Sequence, residues 1–124
     1  MMSKQEPIAI KLPFPPTMNT TWRNFHGRTI LSAKGRTFRA DAIAAIWQQL
    51  GKPKKLTGRL SVEIVLCRGD KRSYDLDNFP KPILDALKHA GVIGDDKQID
   101  ALHVRRGAII PKPGVACVYI EEGT

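Results

Sequence analysis

The segment from Arg59 to Arg68 alternates more clearly than any other part of the chain, and it constrains the fold most strongly. The apolar half of the alternation consists of Leu60, Val62, Ile64 and Leu66. Successive side chains of a strand point to opposite sides of its sheet, so this pattern predicts a strand with one buried face. We therefore expect a sheet with helices packed against that face.

Two segments have the apolar spacing of helices. The first runs from Ala33 to Leu50, after a Ser32 cap, and its buried stripe is Phe38, Ala42, Ala45, Ile46 and Leu50. The second is capped by Asp77 or Asn78, because Pro80 and Pro82 are tolerated only in a first turn. It ends at Gly91, and its core face is Phe79, Ile83, Leu84, Leu87 and Ala90.

The rest of the chain supplies three further strands and a long loop. Ile8–Leu12 is a first strand stopped by prolines, Thr17–Gly27 is a loop, and Arg28–Leu31 is a short extended segment. Gln98–Ile109 and Val115–Glu121 are predicted to form an antiparallel hairpin through the turn at 111–114. With 124 residues, the chain is expected to be one α+β domain over residues 1–124, in the order β-loop-α-β-α-β-β, with residues 1–7 flexible.

Cys67 and Cys117 each lie in an apolar strand-like run. Two cysteines in such positions predict buried free thiols in a reducing compartment. The N-terminus lacks the apolar core of a signal peptide, and no uncharged run has the length of a membrane span. A cytoplasmic protein is therefore expected.

The charge of the chain favours a polyanionic partner. Lysine and arginine number 20 against 12 acidic residues, for a net charge of +8, and such an excess is typical of proteins that bind nucleic acid. No acid occurs between Glu6 and Asp41. The cationic residues of that stretch are Lys11, Arg23, Arg28, Lys34, Arg36 and Arg39.

Parts of this basic stretch have two interpretations. Lys34, Arg36 and Arg39 fall in the first half of the predicted helix, where cations oppose the helix dipole, so a benefit such as phosphate binding would have to compensate for them. The alternative is a merely solvated face. Trp22 and Phe25, beside Arg23, either contact bases or tuck into the core and fasten the loop.

Seven of the twelve acids lie between positions 70 and 100, and all seven are aspartates. If Asp75-Leu76-Asp77 is extended, both carboxylates point to one face and Leu76 points to the core. The return loop of the following helix would bring Asp95 and Asp96 beside them, so that three or four carboxylates meet. Crowded anions of this kind favour a hard divalent cation, Mg²⁺ or Mn²⁺. The alternative is that these aspartates serve only as turn residues.

Lys81 stands four residues after Asp77 and four before Asp85, spacings that place the three side chains along one helical face. Lys81 should border the metal site, where it would hold a scissile phosphate or stabilise charge that develops in an in-line displacement. The alternative is an ordinary surface pair between Lys81 and Asp85. The three histidines show no zinc-ligand spacing, and no Gly-rich loop predicts a nucleotide cofactor.

Several short motifs occur together in one order. The central ones are Asp75-Leu76-Asp77-Asn78, Lys81, Asp85-Ala86-Leu87, Gly91 and Asp95-Asp96. The N-terminal ones are Leu12-Pro13-Phe14-Pro15-Pro16, Asn19, Trp22-Arg23, and Ser32-Ala33-Lys34-Gly35-Arg36 with Arg39. Between Ile8 and Glu121 the chain thus resembles the RusA-type Holliday-junction resolvases, small metal-dependent endodeoxyribonucleases often carried by prophages.

The resemblance implies that Asp75, Asp77 and Asp96 are metal-binding catalytic carboxylates and that Lys81 is the catalytic lysine. We expect support of this site from Asn78, Asp85 and Asp95, and DNA contacts from Arg23, Arg28, Lys34, Arg36, Lys71 and Arg72. The resemblance also implies a homodimer that cuts four-way or branched DNA at paired symmetric phosphodiesters, with Mg²⁺ or substituting Mn²⁺, in recombination and repair. The competing interpretation is a non-catalytic basic protein that binds nucleic acid.

Overall fold

The computed structural model describes residues 7–123. Its strands are β1 (Ile8–Pro13), β2 (Trp22–Phe25), β3 (Arg28–Leu31), β4 (Arg59–Arg68), β5 (Ile99–Arg106) and β6 (Gly114–Gly123). Its helices are α1 (Met18–Thr21), α2 (Ala33–Leu50) and α3 (Pro80–Ala90), and 3₁₀ turns occur at Leu76–Asn78 and Asp96–Gln98. Residues 1–7 are expected to be flexible, and all of them except Pro7 lie outside the described residues.

The predicted α+β class with a mixed sheet is confirmed. Four strands form one sheet in the order β1-β6-β4-β5, and β2 pairs with β3 in a separate two-stranded hairpin. The pairs β1–β6 and β6–β4 are antiparallel, whereas β4–β5 is parallel. A parallel pair needs a crossover connection, and the segment 69–98 with α3 is that connection.

One face of the sheet carries the core, as the alternation of β4 predicts. Val62 pairs with Ile120 and Ile64 with Val118, and all four side chains are buried. The apolar stripes of α2 and α3 pack into the same core cluster, which includes Phe38, Ile46, Ile83 and Leu87. The opposite face, with Tyr119 exposed on β6, is not covered by these helices.

The predicted hairpin between the last two strands is wrong. β6 lies between β1 and β4, and β5 pairs along the other side of β4, from Leu60 with Ile99 to Leu66 with Arg106. The side chains explain this order. β6 buries three apolar residues on the core face, whereas most residues of β5 are at least partly exposed and several are charged, as suits a strand at the edge of a sheet.

Local features add three corrections. The expected loop Thr17–Gly27 contains α1 and β2. Neither Asp77 nor Asn78 caps α3, because both lie in the 3₁₀ turn and Phe79 occupies the cap position before Pro80. Cys67 and Cys117 are free, as predicted, but are half-buried rather than buried. None of the helices within residues 7–123 is long and apolar enough to cross a membrane.

Candidate functional site

The segment Asp75–Asn78 lies beside β5. Arg106, the last residue of β5, donates a hydrogen bond to the Tyr74 carbonyl, and the following 3₁₀ turn contacts β5. Leu76 packs against the core, as expected. The segment is not extended throughout, however, because Asp75 is extended but Leu76–Asn78 forms the 3₁₀ turn. With three residues per turn, side chains two apart no longer share one face.

Asp95 and Asp96 lie at the start of the second 3₁₀ turn, where Asp95 is the N-cap. The Asp95 carboxylate accepts a hydrogen bond from the Lys97 backbone N–H at 2.9 Å. That hydrogen bond is the main cause that holds the pKa of Asp95 below its ordinary value. Asp95 thus has a structural partner, and it sets the turn that presents Asp96.

Gln98 fastens this turn to the chain before β4. Its side-chain oxygen accepts from the backbone N–H groups of Gly94 and Asp95 at 2.8 and 2.9 Å. Its amide nitrogen donates to the carbonyls of Leu56 and Gly58, both at 2.9 Å. One side chain therefore makes four hydrogen bonds and fixes the position of the Asp95–Asp96 pair.

Lys81 and Asp85 do not form the surface pair that their spacing allows. Lys81 Nζ lies 3.8 Å from Asp96 Oδ2. Asp85 instead accepts two hydrogen bonds from Arg39 of α2, at 2.8 and 3.0 Å, and lies 3.4 Å from His89 Nε2. A guanidinium offers a two-point match to a carboxylate that an ammonium lacks, so Arg39 is the stronger partner.

The seven aspartates between positions 70 and 100 fall into two groups. Four have strong partners: Asp70 with Arg68 and Arg72, Asp85 with Arg39, Asp100 with Arg59, and Asp95 within its own turn. The remaining three are Asp75, Asp77 and Asp96. Within residues 7–123 the carboxylates of Asp75 and Asp77 have no hydrogen bond or ion pair, and Asp96 has the loose contact with Lys81.

The donor chemistry of these three residues suits Mg²⁺ or Mn²⁺, which prefer oxygen ligands. The expected convergence of three or four carboxylates is not present, because no group of three or more Asp, Glu, His or Cys side chains within 7–123 is placed to hold a metal ion. The 3₁₀ turn accounts for part of the separation between these carboxylates, because the side chains of Asp75 and Asp77 no longer point to the same side of the segment. Their assignment as metal ligands stays a prediction.

A cleft of about 490 Å³ opens between the hairpin region and the start of α3. Its lining consists of Met18, Asn19, Trp22, Arg23, Asn24, Thr29, Lys81 and Asp85. Trp22 is half-buried and Phe25 is 52% exposed, so the alternative in which both tuck into the core is wrong. The guanidinium carbon of Arg23 lies 5.8 Å from the centroid of the Phe25 ring. Arg23 also lines the cleft together with Lys81.

The other predicted DNA contacts lie in two places. Arg28, Lys34 and Arg36 are exposed on β3 and the first turns of α2. Lys71 and Arg72 come shortly before the Asp75 segment, in a pocket of about 330 Å³ that also contains Arg68 and Arg106. Their role as DNA contacts remains a prediction.

Sequence reasoning missed several residues around these positions. Arg68 and Arg106 hold Tyr74 between them, with guanidinium carbons 4.9 and 5.0 Å from its ring centroid. The parallel register of β4 and β5 brings the two arginines together. The prediction of a hairpin between the last two strands gave no indication of this proximity. The role of Gln98 was also not predicted, although a glutamine three residues after Asp95 matches the sequence pattern of a capping box.

Comparison with known proteins identifies a family. The family model described as "Endodeoxyribonuclease RusA" matches residues 13–117. The crossover junction endodeoxyribonuclease rusA of Enterobacteria phage HK97 is 39% identical over 100 residues, covering 81% of this chain and 82% of the relative. The RusA protein of Escherichia coli strain K12 is 37% identical over 91 residues, covering 73% and 75%. That of Enterobacteria phage 82 is 38% identical over 90 residues, covering 73% and 74%.

Gln98→Ala is expected to destabilise the fold by about 2 kcal/mol, because it removes four hydrogen bonds and leaves half-buried backbone groups without partners. The free energy of unfolding in urea measures this. Gln48→Ala is the matched control, since Gln48 is exposed on α2 and its side chain has no hydrogen bond within residues 7–123. Equal stabilities of the two variants would show that Gln98 does not fasten the turn.

Proposed function

Because the chain belongs to the endodeoxyribonuclease RusA family, we propose that it resolves four-way or branched DNA by paired, symmetric hydrolysis of phosphodiesters, in recombination and repair. One observation carries the proposal beyond family membership. Among the seven clustered aspartates, the three that lack a strong partner within residues 7–123 are Asp75, Asp77 and Asp96. They are the three that the motif match identifies as catalytic carboxylates.

Asp75, Asp77 and Asp96 would hold Mg²⁺, or Mn²⁺ in its place. When bound, such an ion supplies an activated water and stabilises charge on the phosphate and the leaving oxygen. The protein's own contribution is to leave Asp75 and Asp77 without an ion pair within residues 7–123, and Asp96 with only the long contact to Lys81. Arginine neutralises the neighbouring Asp70, Asp85 and Asp100, so negative charge is concentrated on the proposed ligands.

Lys81 would act on the scissile phosphate. Its side chain is 57% exposed and its contact with Asp96 is long, at 3.8 Å, so it can reach a phosphate at little cost. An ammonium beside that phosphate stabilises the charge that develops during displacement. Pro80 and Pro82 are both buried, and they limit the freedom of the helical turn from which Lys81 projects.

The cleft beside Lys81 would receive the DNA backbone. Arg23 supplies a charge there, Trp22 supplies a ring face, and the amides of Asn19 and Asn24 supply donors and acceptors. Mixed basic, amide and aromatic groups of this kind suit phosphates and unpaired bases at a branch point. Arg28, Lys34 and Arg36 would extend the contact, and Lys71 and Arg72, shortly before the Asp75 segment, would add further phosphate contacts.

We also propose a homodimer, in the cytoplasm. One chain contains one set of Asp75, Asp77, Asp96 and Lys81, whereas resolution of a four-way junction needs two matched cuts. A two-fold symmetric dimer presents two identical sites to a junction that is itself approximately two-fold symmetric.

Cleavage of a synthetic four-way junction tests the proposal. With Mg²⁺ we expect paired symmetric nicks that ligase can seal. With EDTA we expect binding without cutting, because the carboxylate ligands lose the ion that hydrolysis requires. Denaturing gels of each labelled strand measure the outcome. Binding without any metal-dependent cutting would favour the alternative of a non-catalytic nucleic-acid-binding protein.

Asp77→Asn is expected to reduce cutting by at least about 100-fold, a loss of the size seen when one group that stabilises a transition state is removed. Junction binding should survive, because the basic residues are unchanged. Single-turnover cleavage and gel-shift affinity measure the two effects. Asp41→Asn, the same change at an exposed aspartate of α2, is the control and should cut normally. Normal cutting by Asp77→Asn would mean that the site is misassigned.

Replacing Arg23, Arg28 or Arg36 with Gln is expected to flatten the dependence of log K on log salt by roughly one unit each, because each lost phosphate contact releases fewer counterions. Fluorescence anisotropy of junction binding in EDTA at several salt concentrations measures the slope. Arg105→Gln, on the sheet face away from the helices, is the matched control. A slope equal to that of the wild type would favour a solvated face.

A further inference from the structure

Arg39 and Asp85 form the most closely matched ion pair near the cleft. Arg39 Nε and Nη2 lie 2.8 and 3.0 Å from the two carboxylate oxygens of Asp85. The Asp85 side chain is only 16% exposed, so the pair is partly shielded from solvent and is stronger than a fully exposed one. It also joins α2 to α3 across 46 positions of sequence.

Asp85 is a competitor for Lys81. It stands one helical turn after Lys81, a spacing at which a lysine and an aspartate commonly pair. Both side chains line the cleft, and both also line a small pocket that contains Asp96. Lys81 nevertheless contacts Asp96, and Asp85 is taken by Arg39. The arginine therefore removes the nearest alternative anion.

We propose that Arg39 is a positioning residue for Lys81: by engaging both oxygens of Asp85, it keeps Lys81 free to face Asp96 and a phosphate in the cleft. The inference rests on the proposed function, because it assumes that Lys81 acts on DNA. Arg39 itself does not line the cleft, so it acts through Asp85. Without Arg39, Asp85 would both capture Lys81 and present an unneutralised charge to the DNA backbone.

The test is a rescue. Arg39→Gln is expected to weaken both Mg²⁺-dependent cleavage and junction binding in EDTA by about fivefold to tenfold, the effect of one partly shielded charge contact. Adding Asp85→Asn should restore most of both losses, since it removes the competitor. Arg39→Lys should lose less than Arg39→Gln, because it keeps a charge beside Asp85. Thermal unfolding of every variant establishes that it is folded.

Two controls separate this role from net charge and from stability. Arg105 and Glu63 form an ion pair on the other face of the sheet, where Arg105 Nε lies 3.2 Å from Glu63 Oε2. Arg105→Gln alone, and Arg105→Gln together with Glu63→Gln, therefore make the same changes of net charge far from the cleft. In a Lys81→Met background, Arg39→Gln should cause a clearly smaller loss of binding in EDTA, because the capture of Lys81 is no longer possible and only the exposed charge of Asp85 remains.

Three outcomes would overturn the inference: an Arg39→Gln variant that Asp85→Asn fails to rescue, an equal loss from Arg105→Gln, or an undiminished loss in the Lys81→Met background. The first is what a merely structural link between α2 and α3 predicts. Failure of the proposed function is distinguishable, because it would show as wild-type protein that does not cut the junction. Wild-type cutting with an unrescued Arg39→Gln overturns only the role of Arg39.

Discussion

The parallel pairing of β4 with β5 is the constraint on which the candidate site depends. Parallel neighbours cannot be joined by a tight turn, so the chain must leave the end of β4, cross the core as α3 and return to the start of β5. Every carboxylate assigned to the site lies in that crossover. Core packing of α3, through residues such as Ile83 and Leu87, thereby also determines where Lys81 and Asp96 meet.

Three sets of polar contacts hold the crossover in place in addition to its apolar packing. The Gln98 amide ties the turn of Asp95 and Asp96 to the segment before β4. The Arg39–Asp85 pair and the bond from Trp47 Nε1 to the Ala90 carbonyl tie α3 to α2. Hydrogen bonds are directional, so these contacts fix position as well as adding stability. The site therefore depends on residues that carry no role in the chemistry.

Local patterns predicted the elements well, and long-range partners poorly. The boundaries predicted for β4 and α2 are correct. They follow from the alternation of β4 and from the cap and apolar stripe of α2, because the period of a strand or a helix is a property of a short segment. Strand order was wrong, since the turn signal at 111–114 indicated a hairpin and does not reveal that β4 intervenes. The partner of Asp85 was equally hidden: Lys81 is four residues away, whereas Arg39 is distant in sequence and adjacent only in the fold.

The contrast between a basic chain and its acidic cluster is resolved by the kind of cation that each carboxylate meets. Arg59 donates to Asp100, and Arg72, chiefly through its backbone N–H, to Asp70, and the pKa values of both carboxyl groups are lowered. Guanidinium groups stay charged, and Arg39 in addition meets both carboxylate oxygens of Asp85. Within residues 7–123 the one ion pair of Asp96 is with the Lys81 ammonium at 3.8 Å, a mobile, single-point partner that a phosphate or a divalent ion can displace. Arginine thus pairs with Asp70, Asp85 and Asp100, and the acids left to lysine or to solvent are the ones that we propose for the chemistry.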